Sequence, residues 1–143
     1  MPEPDVGPAG GPGPDLQGTS AFMVAAGLHL DEVTATRVTG WIDLGPAHHQ
    51  PWGLVHGGVY TTAIEGAATS GAVAAVAADG LVAVGVNNNT NFVRAIAAGP
   101  VSVVATPLQQ GRTQQLWQVE ITDDAGRLVA VGQVRLQNIA PRP

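Results

Sequence analysis

The chain has 143 residues, six arginines but no lysine, no cysteine, and a formal charge of −5. Its 45% apolar content suffices for the core of one ordinary domain. The absence of cysteine excludes disulfides, thiolate nucleophiles and cysteine metal sites, and the acidic balance leaves no basic field for a nucleic acid. A small polyanion stays compatible with this charge if a few arginines and backbone amides converge on it.

Up to Gly18 the sequence holds five prolines and five glycines with almost no large apolar side chain. Such a segment cannot offset the entropy of ordering, so residues 1–18 are expected to be a disordered tail and 19–143 a single domain. The opening Met-Pro-Glu-Pro-Asp lacks the charged and apolar regions of a secretory signal, and no later stretch is an unbroken apolar span of membrane length. A cytoplasmic protein is expected, with no membrane partner. Thr19 or Ser20 can cap a short helix over 21–26, with Gly27 at its end. A strand is predicted over 34–44, where β-branched residues and Trp41 alternate with polar ones before Gly45-Pro46. A loop with His48, His49, Gln50, Pro51 and Trp52 follows.

From 58 to 78 the sequence is proline-free and alanine-rich, which predicts one long helix ended by Asp79-Gly80. Its apolar residues point in several directions, as for a helix covered on most sides. Four strands are predicted after it, over 81–94, 101–110, 114–122 and 127–136, separated by glycine-bearing turns and read as an antiparallel meander. The expected fold is α+β, with one long helix wrapped by a twisted antiparallel sheet.

One charged residue stands inside the apolar helix, Glu65, two turns after His56-Gly57-Gly58. Exposed helical glutamates are ordinary, but here the helical neighbours Gly58, Thr61, Thr62 and Thr69 are small or hydroxylated, as in a cleft wall. A carboxylate held there can attack a carbonyl carbon or deprotonate a water. Two glycines at the helix start can present bare amides to a developing oxyanion, although a plain tight turn accounts for them equally. Other signals are weaker. His48, His49 and His56 have no acidic ligand at zinc spacing, so no metal is expected. No Gly-x-Ser-x-Gly elbow surrounds Ser20, Ser70 or Ser102. Asn88-Asn89-Thr90 is a chance glycosylation match without a secretory route, and Trp41, Trp52 and Trp117 read as packing.

The run Gln50-Pro51-Trp52-Gly53-Leu54-Val55-His56-Gly57-Gly58, followed by Glu65 and Thr69, resembles the signature of the phenylacetate-type (PaaI-like) hotdog thioesterases. The likeness continues through Val84-Gly85-Val86-Asn87, Asn91-Phe92-Val93-Arg94, Gly111-Arg112 and Asp124-Ala125-Gly126-Arg127-Leu128-Val129-Ala130, covering about residues 20–138. It implies a hotdog fold and the branch that uses a glutamate on acyl-CoA thioesters, including aromatic and hydroxyaryl ones such as 4-hydroxybenzoyl-CoA. By the same resemblance Glu65 is nucleophile or general base, the Gly57 amide polarises the thioester carbonyl, His56 and Gln50 help place it, and Thr69 orients the water or the carboxylate. Coenzyme A would lie along Gly85, along Phe92, Val93, Arg94 and Ala95, and along Gln109, Gln110, Gly111, Arg112, Thr113 and Gln114, contributed by both subunits of a dimer. No cofactor is implied. The Asn87-Asn88-Asn89-Thr90-Asn91 run is unusually polar for a central strand, which leaves the acyl preference open.

Two alternatives to a thioesterase follow from the same residues. A non-catalytic acyl-CoA sensor or scaffold would share the fold, but it has no need of a carboxylate in a partly desolvated position. A hydratase would call for a paired Asp and His, and no Asp-x4-His pattern is present. General esterase activity is compatible with the same oxyanion site. A single hotdog unit leaves a sheet edge uncovered, so a homodimer or a homotetramer is expected.

Overall fold

The computed structural model describes residues 15–143, beginning with a 3-10 turn at Leu16–Gly18 and a short helix α1 at Ala21–Ala26. Both expected caps of α1 are formed: the Ser20 hydroxyl accepts the Met23 amide, and Gly27 follows at φ 77°. Most of the tail expected to be disordered, residues 1–14, lies outside the described residues. Its last four residues take a defined place. Asp15 caps the turn, Leu16 packs on the core, and the Gln17 carboxamide donates to the carbonyls of Met23 and Leu28.

Two further 3-10 turns, Pro46–His48 and Ala77–Asp79, accompany β1 (His29–Val33), β2 (Val38–Leu44), α2 (Gly57–Val76), β3 (Val82–Phe92), β4 (Gly99–Gln110), β5 (Gln114–Asp123) and β6 (Leu128–Ile139). The strand expected over 34–44 starts later, at Val38, because its first residues form the β1–β2 turn. The Thr34 hydroxyl there accepts the amides of Thr36 and Arg37 and donates to the Arg37 carbonyl. β1 itself escapes sequence reading, since exposed Asp31 and Glu32 break its alternation where a bulge falls between Leu30 and Glu32.

All pairings are antiparallel, in the order β1-β2-β4-β5-β6-β3. β4, β5 and β6 are the expected meander, but β3 does not join it in sequence order: it pairs with β6 at the far edge of the sheet. Composition accounts for this. β4 and β5 bury alternate residues on one face, as central strands do, whereas β3 is mostly exposed and asparagine-rich, which an edge tolerates.

The sheet curls around α2. Tyr60, Ala63, Ile64, Ala67, Ala68, Gly71, Ala72 and Val76 form its buried stripe. The sequence expectation of a helix covered on most sides holds: along α2 Glu65 is the one exposed residue, and all the others are buried or half-buried. Its most buried stripe is built largely of alanine and glycine. Their smallness lets the sheet approach closely. The Trp117 ring occupies the space a Cβ on Gly71 would need, and Ile64 Cγ2 would lie 3.0 Å from a Cβ on Gly132 of β6. A buried polar network fixes the far end of the helix. Gln115 donates to the Ala72 carbonyl and to Asn138 Oδ1 and accepts the Trp117 indole N–H, at 2.9–3.0 Å.

Candidate active site

The loop before α2 is tied down almost entirely by its own backbone. The Gln50 amide donates to Leu54 at 2.8 Å, Gly53 turns the chain at φ 82°, and the amides of Val55 and His56 donate to the carbonyls of Ile96 and His48. The Gln50 carboxamide oxygen accepts the Trp52 amide at 2.5 Å. His49 Nε2 lies 2.6 Å from the Ala97 carbonyl and therefore carries the proton, while His48 Nδ1 accepts the Gly45 amide.

His56 caps α2. Its Nδ1 accepts the Gly58 amide at 2.8 Å, so the ring proton sits on Nε2. This divides the two glycines expected to present bare amides. The Gly58 N–H is occupied by the cap, and the Gly57 N–H has no partner among the described residues. That amide stands at the positive end of a 20-residue helix.

Against Gly57 lies Phe92, the last residue of β3. A Cβ on Gly57 would sit 2.7 Å from Phe92 Cζ, so only glycine permits this approach. The Phe92 ring also tilts toward Tyr60, one turn along α2, with centroids 6.3 Å apart. Sequence reasoning counts Tyr60 merely as an apolar helix residue and so misses it. Its hydroxyl is the one buried side-chain polar atom without a hydrogen-bond partner among the described residues, and burial pushes its pKa up to about 12. A signal does exist in the sequence: this is the only tyrosine of the chain, placed three residues after Gly57.

Glu65 lies about two turns along α2 from Gly57. Its carboxyl group faces Gly85 of β3, where a Cβ would lie 3.7 Å from both the Glu65 carboxyl carbon and Oε1. A bulge between Gly85 and Asn87 shifts the β3–β6 register at this point. Within one chain Glu65 is exposed, not partly desolvated as the sequence suggested. The Thr61 and Thr62 hydroxyls both donate to the Gly58 carbonyl and so serve the helix rather than the carboxylate. Thr69 is half-buried one turn beyond Glu65.

The expected residues therefore fall into three groups rather than one. Gln50, His56, Gly57, Phe92 and the exposed Val93, Arg94 and Ala95 gather at the start of α2; the amides of Val93 and Arg94 both donate to the Val129 carbonyl. Glu65, Thr69 and Gly85 form the second group. The third is the β4–β5 hairpin carrying Gln109, Gln110, Gly111, Arg112, Thr113 and Gln114, at the end of the sheet away from Phe92 and level with Gly85 across β6, where Leu136 pairs with both Gly85 and Gln115. Asn138 holds it there by donating to the Gly111 and Arg112 carbonyls, as does Gln110 by donating to the Ala35 carbonyl. Arg94 and Arg112 are exposed and form no ion pair among the described residues, where the one salt bridge is Arg127–Asp123. Eight helical residues separate Gly57 from Glu65, roughly 12 Å along the axis. A single chain thus does not bring the Glu65 carboxylate and the Gly57 amide onto one carbonyl group. No cluster of three metal-ligating side chains occurs among the described residues, and none of their helices is long and apolar enough to cross a membrane.

Comparison with known proteins agrees with this architecture. Residues 53–130 match the family model described as the thioesterase superfamily. The Mycobacterium tuberculosis protein named "Putative esterase Rv1847" is 46% identical over 138 residues, covering 92% of this chain and 99% of that protein. Its solved structure superposes with a TM-score of 0.82 at 48% identity, over 87% of this chain and all of that one. The 1,4-dihydroxy-2-naphthoyl-CoA hydrolase of Listeria monocytogenes is 29% identical over 107 residues, 75% of this chain and 86% of that protein. The solved thioesterase HI1161 of Haemophilus influenzae has a TM-score of 0.79 at 26% identity, covering 87% of this chain and 86% of that one.

Proposed function

Since the chain belongs to the thioesterase superfamily and has its hotdog fold, and is accordingly a thioester hydrolase, we propose that its substrates are acyl-CoA thioesters, cleaved to free acid and coenzyme A with Glu65 as the catalytic carboxylate. The observation that carries this reading is the pairing, on one helix, of an unpartnered N-terminal amide at Gly57 with a lone carboxylate two turns later. The amide polarises the thioester carbonyl and stabilises the oxyanion that forms when it is attacked. Glu65 either attacks the carbonyl carbon, giving an anhydride that water then opens, or removes a proton from the attacking water. Either route releases the coenzyme A thiol and consumes one water. Gln50 and the His56 Nε2–H are the further donors that place the thioester, and Thr69 steadies the carboxylate or its water. Activity on oxygen esters follows from the same chemistry.

The roughly 12 Å between Gly57 and Glu65 calls for a second copy. A two-fold axis passing near the middle of this span sets Glu65 of each chain against Gly57 of the other, and the unpaired edge of β3 offers the surface for it. That strand exposes Val84, Val86 and Phe92, with Val93 just beyond it. A homodimer is the smallest complete unit, and a tetramer pairs two of them. In this unit Glu65 becomes partly shielded from water, and Arg94 and Arg112, from the segments expected to run along coenzyme A, supply charge for its phosphates. The enzyme works in the cytoplasm, without cofactor.

The test measures thiol release from short, medium and aromatic acyl-CoAs by wild type, Glu65→Ala and Glu65→Gln, after sedimentation has shown the same oligomer for all three. Turnover by wild type that drops by two or more orders of magnitude in both variants supports the proposal. Undiminished turnover in the variants removes Glu65 from the mechanism. Binding of acyl-CoA without any turnover by wild type points instead to a sensor.

A further inference from the structure

Tyr60 combines three features that packing alone does not require. Its side chain is 97% buried, as its 3% exposure means, its hydroxyl has no hydrogen-bond partner among the described residues, and it shares with Gly57 the ring of Phe92 as a neighbour. A phenylalanine would fill the same space without burying an orphan donor, and an unmatched buried hydroxyl is costly to keep. Because burial holds its pKa near 12, the group is a neutral O–H donor throughout the physiological range. Phe92, which covers it toward Gly57, is itself 58% exposed, so its ring can turn aside while little of the core is disturbed.

We infer that Tyr60 is a specificity-determining residue whose hydroxyl donates to an oxygen on the acyl group, reached when the Phe92 ring swings away from Gly57. The inference rests on the acyl-CoA reading given above and deepens it. The thioester carbonyl sits at the Gly57 amide, and Tyr60 follows one helical turn, about 5 Å, further along the same face. An acyl group entering between them presents to the hydroxyl an atom several bonds from the carbonyl carbon. Acyl groups with a hydroxyl or carbonyl oxygen there complete the hydrogen bond that the empty site lacks, while purely hydrocarbon acyl groups leave the donor unsatisfied. The class of substrate is thus an oxygen-bearing acyl thioester, aromatic or aliphatic.

The experiment compares wild type with Tyr60→Phe on matched pairs: benzoyl-CoA against its 2-, 3- and 4-hydroxy derivatives, and butyryl-CoA against 3-hydroxybutyryl-CoA. The expected result is a wild-type preference, in kcat/KM, for the oxygenated member of at least one pair, reduced about ten- to a hundredfold in Tyr60→Phe. The pair that shows it tells aromatic from aliphatic acyl groups. Equal preference ratios in both proteins across every pair overturn the inference and leave the thioesterase reading standing. Should wild type hydrolyse none of them, the same comparison is made by calorimetric binding of the thioethers phenacyl-CoA and 4-hydroxyphenacyl-CoA. A selective loss of affinity for the hydroxylated thioether in Tyr60→Phe then supports the role of Tyr60 although the hydrolytic reading fails. Identical affinity ratios, or no binding, overturn it.

Discussion

The Glu65 carboxyl group stands over Gly85, with just enough room between helix and strand for one methyl group: a Cβ on Gly85 would meet the carboxyl carbon and Oε1 at 3.7 Å, an ordinary contact distance. Gly85 has no left-handed backbone conformation to forbid a side chain. Gly85→Ala is therefore expected to fold with unchanged or slightly greater stability, by up to about 1 kcal/mol, since alanine loses less chain entropy. In the proposed dimer, where the acyl thioester must also fit beside the carboxylate, the added methyl takes up that space, and kcat/KM should fall about tenfold or more. Thermal unfolding and thiol-release kinetics on the same sample check both parts, and an alanine variant as active as wild type would place the acyl thioester elsewhere.

Gly71 presents the opposite case. The Trp117 ring and Val38 Cγ2 occupy the volume around its Cα, the latter 2.9 Å from the point a Cβ would take, and both belong to the buried core rather than to a flexible tip. Gly71→Ala should cost about 1–3 kcal/mol through overpacking, despite the helix preference of alanine. Chemical denaturation would show a lower midpoint at unchanged slope. A more stable variant would mean that the Trp117 ring can retreat.

Gln115 supplies both ends of a buried network. Gln115→Leu leaves the Trp117 indole N–H, the Ala72 carbonyl and Asn138 Oδ1 each short of a partner. Roughly 2–5 kcal/mol of stability should be lost. Asn138 also ties down the Gly111 and Arg112 carbonyls, so protection of hairpin amides in hydrogen exchange should fall along with global stability. A loss of stability with hairpin protection intact would separate the two roles.

Two groups give stability a pH dependence at opposite ends. Asp123 is held below the usual aspartate range by the Arg127 amide first, then by the Arg127 guanidinium and the Ala125 amide, against the opposing effect of burial. Its folded pKa is depressed, so its contribution is complete above the ordinary value of about 3.9 and disappears as pH falls through the folded value. Tyr60 has the reverse sign. With a folded pKa near 12, its contribution is complete below the ordinary value of about 10 and is lost as pH rises toward 12. A Tm profile should flatten at acid pH in Asp123→Asn and at alkaline pH in Tyr60→Phe, and Tyr60→Phe should be about 1 kcal/mol more stable than wild type near neutrality, because the orphan hydroxyl is gone. Unchanged limbs in both variants would remove these groups as the cause.

The caps of α1, the extent of α2 and the four strands after it were legible in the sequence because each rests on local chemistry: a serine and a glycine at helix ends, an alanine-rich proline-free run, alternation between turns. The motif from Gln50 to Gly58, followed by Glu65, pointed to hotdog thioesterases, and the thioesterase superfamily is what the comparison bears out. What the sequence by itself could not determine depends on which distant segments meet. Local pattern does not say that β3 pairs with β6 and not β4, because pairing is chosen by the burial that the whole sheet gains. The orphan hydroxyl of Tyr60 and the closure of Phe92 over Gly57 arise where helix and edge strand converge. Only tertiary structure decides such contacts, because they join residues whose separation along the chain carries no periodic signal.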